Sequence, residues 1–276
     1  MIEQFRPMKP KKVDEIPLED NYIYQQKIDG GNVIVDVELP KVEIIHAGVR
    51  IGNKLAWNRR TYRYPNLVRE IREGIVLKDN CTYVGELTVH DGYDVGRHWL
   101  FLKRQLENTF QINRMSKLLP VVFYPHHIIR EGDEMLFDVP YEDILGMLGQ
   151  NVKDGKHVRV IPTFNRPDKL LEQEGLIEGI VVKDRHGTYH KGKRGVGWYK
   201  KKFLKEKTVK FVSFEEQEVG IKMFSDEGKP VHLAGNRVEM ATQHIKENGH
   251  VICELEFYAE TGKGYRDCSV KRVLVE

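Results

Sequence analysis

The sequence predicts an α+β protein built on antiparallel sheets with helical cover, followed by a small β-barrel. Three observations carry that expectation. Up to Lys202, β-branched runs separated by Gly and Pro dominate. Amphipathic stretches long enough for helices are few, and after Lys202 the texture changes to short strands at regular spacing.

In chain order, Tyr22–Tyr24, Val33–Glu38 and Val42–Ile45 read as twisted antiparallel strands. A helix is expected from Pro65 to Glu73, where Leu67, Val68 and Ile71 fall on one side. Thr82–Val89 is a further strand, and Arg97–Leu119 reads as helical cover carrying Leu100, Phe101, Leu106 and Phe110. Leu119–Phe123 returns to strand, Tyr141–Leu148 to helix and Gly179–Val182 to strand. Beyond Lys202, strands are expected at Val209–Phe214, Val219–Met223, Arg237–Met240, Val251–Tyr258 and Val270–Val275, with turns near Gly228, Gly235, Gly249 and Gly262. About five strands in ~70 residues is the size of an OB barrel. Phe203–Lys207 is the expected hinge between the two parts.

With 276 residues, 40% of them hydrophobic, the chain can build one large or two modest cores. No apolar run approaches the ~20 residues needed to span a bilayer. Met1–Phe5 is not a charged leader backed by an apolar stretch. A cytoplasmic protein with no membrane partner is expected. Cys81, Cys253 and Cys268 lack CxxC spacing, so neither a disulfide framework nor a zinc site is supported. His126-His127 and the His186/His190 pair have no Cys or carboxylate to complete a tetrahedral set. Net charge is only +3, yet Asp184–Lys210 holds ten Lys/Arg against two Asp/Glu, so the rest of the chain is net negative. Such a stretch suits phosphate and nucleic-acid backbone.

Chemistry is carried by three ordered strings: Lys27-Ile28-Asp29-Gly30, Glu178-Gly179-Ile180-Val181-Val182-Lys183, and Trp198-Tyr199-Lys200-Lys201-Lys202. Each is weak alone; their order and spacing are hard to obtain by accident. No complete phosphate loop of the GxxxxGK[ST] type exists, since Gly187–Lys193 is followed by Arg194, so a nucleotide must be held by the lysine site itself. With Gly85-Glu86-Leu87 after a strand and the Val121-Val122-Phe123 strand, these segments resemble the ATP-dependent polynucleotide ligases, within the superfamily that includes mRNA capping enzymes. The resemblance covers almost the whole chain. It implies a nucleotidyltransferase (adenylation) domain over residues 1–204 and an OB-fold domain over 205–276.

The resemblance also implies the reaction. A lysine attacks the α-phosphate of ATP, forms a lysyl-adenylate and passes AMP to a 5′-phosphate, from which a 3′-hydroxyl displaces it. Lys27 is the expected nucleophile. An ammonium of pKa ~10.4 is a poor nucleophile, so nearby cations or a low dielectric must favour the neutral amine. Lys200 and Lys202 are expected to do this, to bind the α-phosphate and to neutralise charge developing during transfer. Asp29 is expected to contact a metal or the nick end, and Gly30 to allow close backbone approach. Glu86 and Glu178 are expected to hold ribose hydroxyls and a divalent cation, Mg²⁺ or Mn²⁺. Phe123 is expected to stack on adenine, and Gln25 to read its edge, since an amide both donates and accepts. Arg59 completes the expected ATP contacts, with Arg50 as the alternative. Lys191, Lys193 and Arg194 in the basic stretch, and Lys271 and Arg272 near the C-terminus, are the expected nucleic-acid contacts.

Together these expectations describe a minimal monomeric ATP-dependent DNA ligase acting on nicked duplex DNA. Asn32 stands where most DNA ligases have Arg, as in many RNA ligases, which makes an RNA ligase the alternative, ahead of a GTP-using capping enzyme. Gly264–Asp267 and Ser269–Arg272 resemble the OB domain of DNA ligases, although the final RxDK-like motif is not cleanly present. Lys271 and Arg272 are the candidates to orient pyrophosphate in its place. From a different class, a non-catalytic OB-type binder is favoured only by the basic stretch.

Overall fold

The computed structural model describes residues 6–51, 54–74, 76–89, 101 and 104–274, with 47–51 and 54–58 as backbone. The expected helix segment Arg97–Leu100 and the side chain of Arg50 lie outside the described residues. The chain divides into two compact units, Met1–Lys202 and Phe203–Glu276.

In the first unit, the strands are β1 (Lys9–Lys12), β2 (Tyr22–Gln26), β3 (Gly31–Glu38), β4 (Lys41–Ile51), β5 (Lys54–Arg59), β6 (Cys81–Thr88), β7 (Val122–Glu131), β8 (Glu134–Met135), β9 (Thr163–Phe164), β10 (Gly179–Asp184) and β11 (Arg194–Lys202). The helices are α1 (Pro65–Arg72), α2 (Thr109–Leu118), α3 (Tyr141–Asn151) and the single turn α4 (Asp168–Leu171). One sheet runs β1-β11-β10-β2-β9 and the other β5-β4-β3-β6-β7-β8. β3 is central in the second sheet, and Val33, Ile34, Val35 and Val37 are all fully buried. That explains a continuous apolar run instead of an alternating one: both faces of the strand are covered. α1 starts with Pro65, whose missing N–H costs nothing at a helix N-terminus, and buries Leu67, Val68 and Ile71. The main core joins these residues to Tyr83, Phe123, Ile128, Tyr141 and Trp198.

The second unit holds β12 (Lys205–Glu216), β13 (Ile221–Ser225), β14 (Pro230–Leu233), α5 (Arg237–Asn248), β15 (Val251–Phe257), β16 (Ala259–Thr261), β17 (Gly264–Arg266) and β18 (Ser269–Leu274). Its curled antiparallel sheet has the order β14-β13-β12-β15-β18. β15 alternates buried and half-buried residues along its length, and its inward Cys253 and Leu255 meet Phe211 and Met223 in the core.

Several sequence expectations are corrected. Arg237–Met240 is not a strand but the first turn of α5. Val238, Ala241 and Ile245 follow helical spacing, Ala241 and Ile245 are buried, and the helix ends at Gly249 in the left-handed region. Four residues were too few to distinguish a β run from that periodicity. The first sheet is not purely antiparallel, because β1 runs parallel to β11. β7 begins at Val122 and continues past Pro125. Within the expected cover helix, α2 begins only at Thr109, where the Asn108 side chain accepts from the Gln111 amide. Phe110 is 76% exposed and Leu106 lies before the helix, so neither forms the expected buried face.

Candidate active site

Strand pairing assembles the site. β10 lies between β2 and β11, with Val181 opposite Gln25 on one side and Lys200 on the other. Lys27 follows β2 directly, and its amide donates to the Gly179 carbonyl at 2.9 Å. Lys200 and Lys202 alternate along β11 and therefore share a face, while Lys201 points the other way. Two glycines make the assembly possible. A Cβ on Gly30 would sit 2.6 Å from the Leu87 carbonyl oxygen, and one on Gly179 2.1 Å from that of Lys201; Gly179 also has φ of 153°.

Glu178, just before β10, is the electrostatic centre. Its side chain is 1% exposed, with Oε2 2.5 Å from Lys27 Nζ and Oε1 2.9 Å from Lys202 Nζ. Burial lowers the Lys200 ammonium below the ordinary lysine range, and the charges of Lys27 and Lys202 push the same way. Glu86 pairs with Asn32 on β3 and Tyr124 on β7. Burial raises its carboxyl to about 7; Lys27 opposes that shift, and Glu178 adds to it. Among the described residues no group of three or more His, Cys, Asp or Glu side chains forms a ready-made metal centre.

A cavity of about 250 Å³ opens beside Lys27, and Gln25, Ile28, Asn32, Glu86, Val181 and Lys200 form part of its wall. Gln25 donates to Thr163 Oγ1 at 3.0 Å and accepts from the Tyr141 hydroxyl at 3.3 Å, which fixes its amide orientation. Three residues of the wall carry a buried polar atom with no partner among the described residues: Asn32 Oδ1, His126 Nδ1 and Trp198 Nε1. Buried polar groups are normally satisfied. An acceptor, a ring nitrogen and a donor left over on residues of one cavity wall fit a ligand that is polar around its edge, as an adenine ribonucleotide is.

Sequence reasoning missed part of this wall. Lys183 is buried and, among the described residues, has no carboxylate partner; it donates to the Tyr141 hydroxyl at 2.8 Å and the His126 carbonyl at 3.1 Å. Its ammonium stands 4.2 Å from the Tyr141 ring centre and 4.4 Å from that of Trp198, and burial holds it well below the ordinary lysine range. Lys183 was visible as the last letter of its string. His126 had no such signal, because a β-bulge interrupts the alternation of β7 there.

Two expected ATP contacts are corrected. Phe123 is 0% exposed and belongs to the main core, because it pairs with Leu87, whereas Glu86 and Tyr124 form the neighbouring row that faces the other way. It cannot stack on a base in this cavity, and His126 and Trp198 are the aromatic wall residues. Arg59 lines a separate groove. The reason is that β4 continues past His46 and returns as β5, which sets Arg59 opposite Ile45 at the sheet edge. Asp29 is buried and its carbonyl accepts from Thr88 Oγ1; its charge acts on Glu86, but it is not a wall residue.

Of the expected nucleic-acid contacts, Lys191, Lys193 and Arg194 are exposed, with Lys191 4.3 Å from the Phe137 ring centre. Lys271 pairs with Glu206, and Arg272 pairs with Glu254 through two hydrogen bonds of 2.6 and 3.0 Å.

A family model described as ATP dependent DNA ligase domain matches residues 7–202, which include every residue of the site above. The chain belongs to that family. The DNA ligase of Methanothrix thermoacetophila is 27% identical over 248 residues, an alignment covering 80% of this chain and 41% of that protein. The chain thus spans about two fifths of the length of that relative. Among solved structures, a Lig E DNA ligase superposes with a TM-score of 0.67 at 16% identity, covering 98% of this chain and 99% of the other. The ligase domain of M. tuberculosis LigD superposes with a TM-score of 0.54 at 16% identity, covering 98% and 95%. The fold of these solved structures thus extends over both units, and the curled sheet of the second unit is consistent with an OB fold.

Proposed function

We propose that the chain seals 5′-phosphate/3′-hydroxyl nicks in duplex DNA with ATP, through a lysyl-AMP on Lys27. The observation that carries this reading is Lys27 Nζ at the mouth of the cavity, held 2.5 Å from a buried carboxylate and flanked by Lys200 and Lys202. In the first step the Lys27 nitrogen bonds to the α-phosphorus while the bond to pyrophosphate breaks. Glu178 Oε2 is within hydrogen-bond reach to take the amine proton. Lys200 and Lys202 stand where they can offset charge on the α-phosphate. Gln25 and His126 flank the base, and Glu86 and Asn32 meet ribose hydroxyls. Asp29 keeps an indirect role, through its charge on Glu86.

A divalent cation, Mg²⁺ or Mn²⁺, would be held by Glu86 and Glu178 and would polarise the phosphates. Lys191, Lys193, Arg194, Lys271 and Arg272 would contact the nucleic acid backbone. A monomer acting in the cytoplasm accords with this reading; among the described residues no helix is long and apolar enough to cross a membrane.

The experiment is gel-based sealing of a singly nicked duplex with ATP and Mg²⁺, comparing all-DNA, RNA on the 3′-hydroxyl side, and all-RNA substrates. Preference for all-DNA is the expected result. Sealing that requires RNA would make Asn32 the decisive residue and move the protein to the RNA ligases.

A further inference from the structure

One wall of the Lys27 cavity comes from outside the strings that carry the chemistry. Pro7, Met8, Lys9 and Pro10 line it together with His126, Lys183 and Trp198. They lead into β1, the strand that lies parallel to β11 at the edge of the first sheet. Met8 is gripped on both sides: its amide donates to the Tyr189 hydroxyl at 3.0 Å, and its sulfur accepts from the His190 amide at 3.3 Å. Beyond it, the Lys9 amide donates to the Lys193 carbonyl and the Val13 amide to the Lys200 carbonyl, both at 3.0 Å. The residues of β1 itself are exposed or half-buried, so apolar burial contributes little to holding it down.

β11 is shaped to receive this segment. Lys9 lies opposite Arg194 but Lys11 opposite Tyr199, so the register slips, and Gly195 and Gly197 take φ of 76° and 68° in the extra length. A Cβ on Gly195 would stand 2.7 Å from Lys11 Cβ, and one on Gly192 3.3 Å from Arg6 Cβ. Glycine at these positions lets the backbone of β1 approach.

Charge opposes the same docking. Residues 6–13 carry four basic and no acidic side chains, and residues 189–202 carry six and none. Lys9 faces Arg194 and Lys12 faces Lys200, and like charges at paired positions of neighbouring strands are destabilising. A polyphosphate beside Lys27 and Lys200 would offset that repulsion, while its nucleoside would gain contacts with Pro7–Pro10. Both effects favour the docked strand over the undocked one.

We propose that residues 6–13 form a strap over the Lys27 cavity whose docking on β11 is coupled to nucleotide: bound nucleotide holds the strap down, and the docked strap slows nucleotide release. This inference rests on the ATP reading of the cavity. Coupling of this kind is reciprocal, so a change that loosens the strap weakens nucleotide binding by the same factor.

The test uses the full chain and an ATP analogue with a methylene group between the α- and β-phosphates, which cannot adenylate Lys27. Amide hydrogen exchange is read by mass spectrometry in residues 6–13 and, as the reporter of cavity binding, in residues 22–30. The expected result is that the analogue slows exchange in both, by at least about fivefold in residues 6–13, the low end of ordinary coupling between sites. Gly195→Ala should abolish the protection of residues 6–13 and weaken analogue binding at least about fivefold by calorimetry, while residues 22–30 are still protected at saturation, which shows that the variant is folded. Lys9→Glu, opposite Arg194, should slow exchange of residues 10–13 by about threefold with no nucleotide added, because attraction replaces repulsion. Protection of residues 22–30 with no change in residues 6–13 would overturn the strap and leave the ATP reading standing. Wild-type affinity in a Gly195→Ala chain whose strap exchanges freely would do the same. No protection in either segment, with no lysyl-AMP formed from labelled ATP, would overturn the ATP reading and the strap together.

Discussion

Glu178 and Glu254 each neutralise basic side chains, in opposite settings. Glu178 is 1% exposed and is shared between Lys27, a residue of the cavity wall, and Lys202. Glu254 lies on the surface of the C-terminal unit and pairs with Arg272, whose side chain is 70% exposed. A surface pair is screened by water and salt and contributes little, whereas removing one member of a buried group leaves charge without compensation. The same pairing of types thus holds the Lys27 amine against a buried carboxylate in one region and leaves a largely exposed cation in the other.

The largest expected effect is at the buried end of this comparison. Lys27→Arg keeps the positive charge beside Glu178 but removes the amine, and incubation with labelled ATP should then leave no covalent AMP on the protein. A labelled Lys27→Arg chain would relocate the nucleophile. Next, Glu178→Ala should lower the unfolding free energy by about 3 kcal/mol in urea titration, in line with the removal of one partner of a buried ion pair. A loss too small to measure would place Glu178 in the same class as Glu254.

Glu86 sharpens the contrast through pH. Its folded carboxyl is raised to about 7 from an ordinary value of 4.5. The folded state therefore holds the proton more tightly than the unfolded one, and stability from this group is lost as pH rises from about 4.5 to about 7. Relative to Glu86→Gln, the wild-type urea midpoint should fall over that window and level off above it. Parallel curves for the two proteins would remove burial of Glu86 from the account. The smallest effect belongs to the surface: Glu206→Gln/Glu254→Gln should leave the urea midpoint unchanged and tighten nicked-duplex binding by about twofold, as Lys271 and Arg272 lose their competing carboxylates. Weaker binding would mean that those carboxylates orient the cations productively.

Legibility in the sequence followed the length scale of each signal. Lys27, Glu178, Lys200 and Lys202 could be read because each lies within a short string whose strand geometry is local, so neighbours in sequence remain neighbours in the site. Glu86 was readable for the same reason. Phe123 was misread because its facing depends on which residue of β6 lies opposite, and that is set across the sheet. Arg59 was misread because β4 and β5 extend as a hairpin whose length alters what the returning strand faces. Lys183, His126, Trp198 and Tyr141 meet only through the packing of four separate elements, and no spacing along the chain encodes that meeting. In the C-terminal unit the alternating residues of β15 were plain, while α5 was hidden behind a four-residue window that a strand fits equally well.

β6 places Leu87 toward the core and Glu86 toward the cavity, one residue apart. In such a strand a change of count is felt at every letter. Deleting one residue between Cys81 and Gly85 would carry the carboxylate into the apolar interior and turn Leu87 out beside Lys27, exchanging the two faces at a stroke. Length variation in this lineage is therefore expected to collect in the β4–β5 hairpin, at the outer edge of the same sheet, and to spare β6; an insertion scan across the two would show how differently one sheet tolerates added residues at its rim and at its working strand.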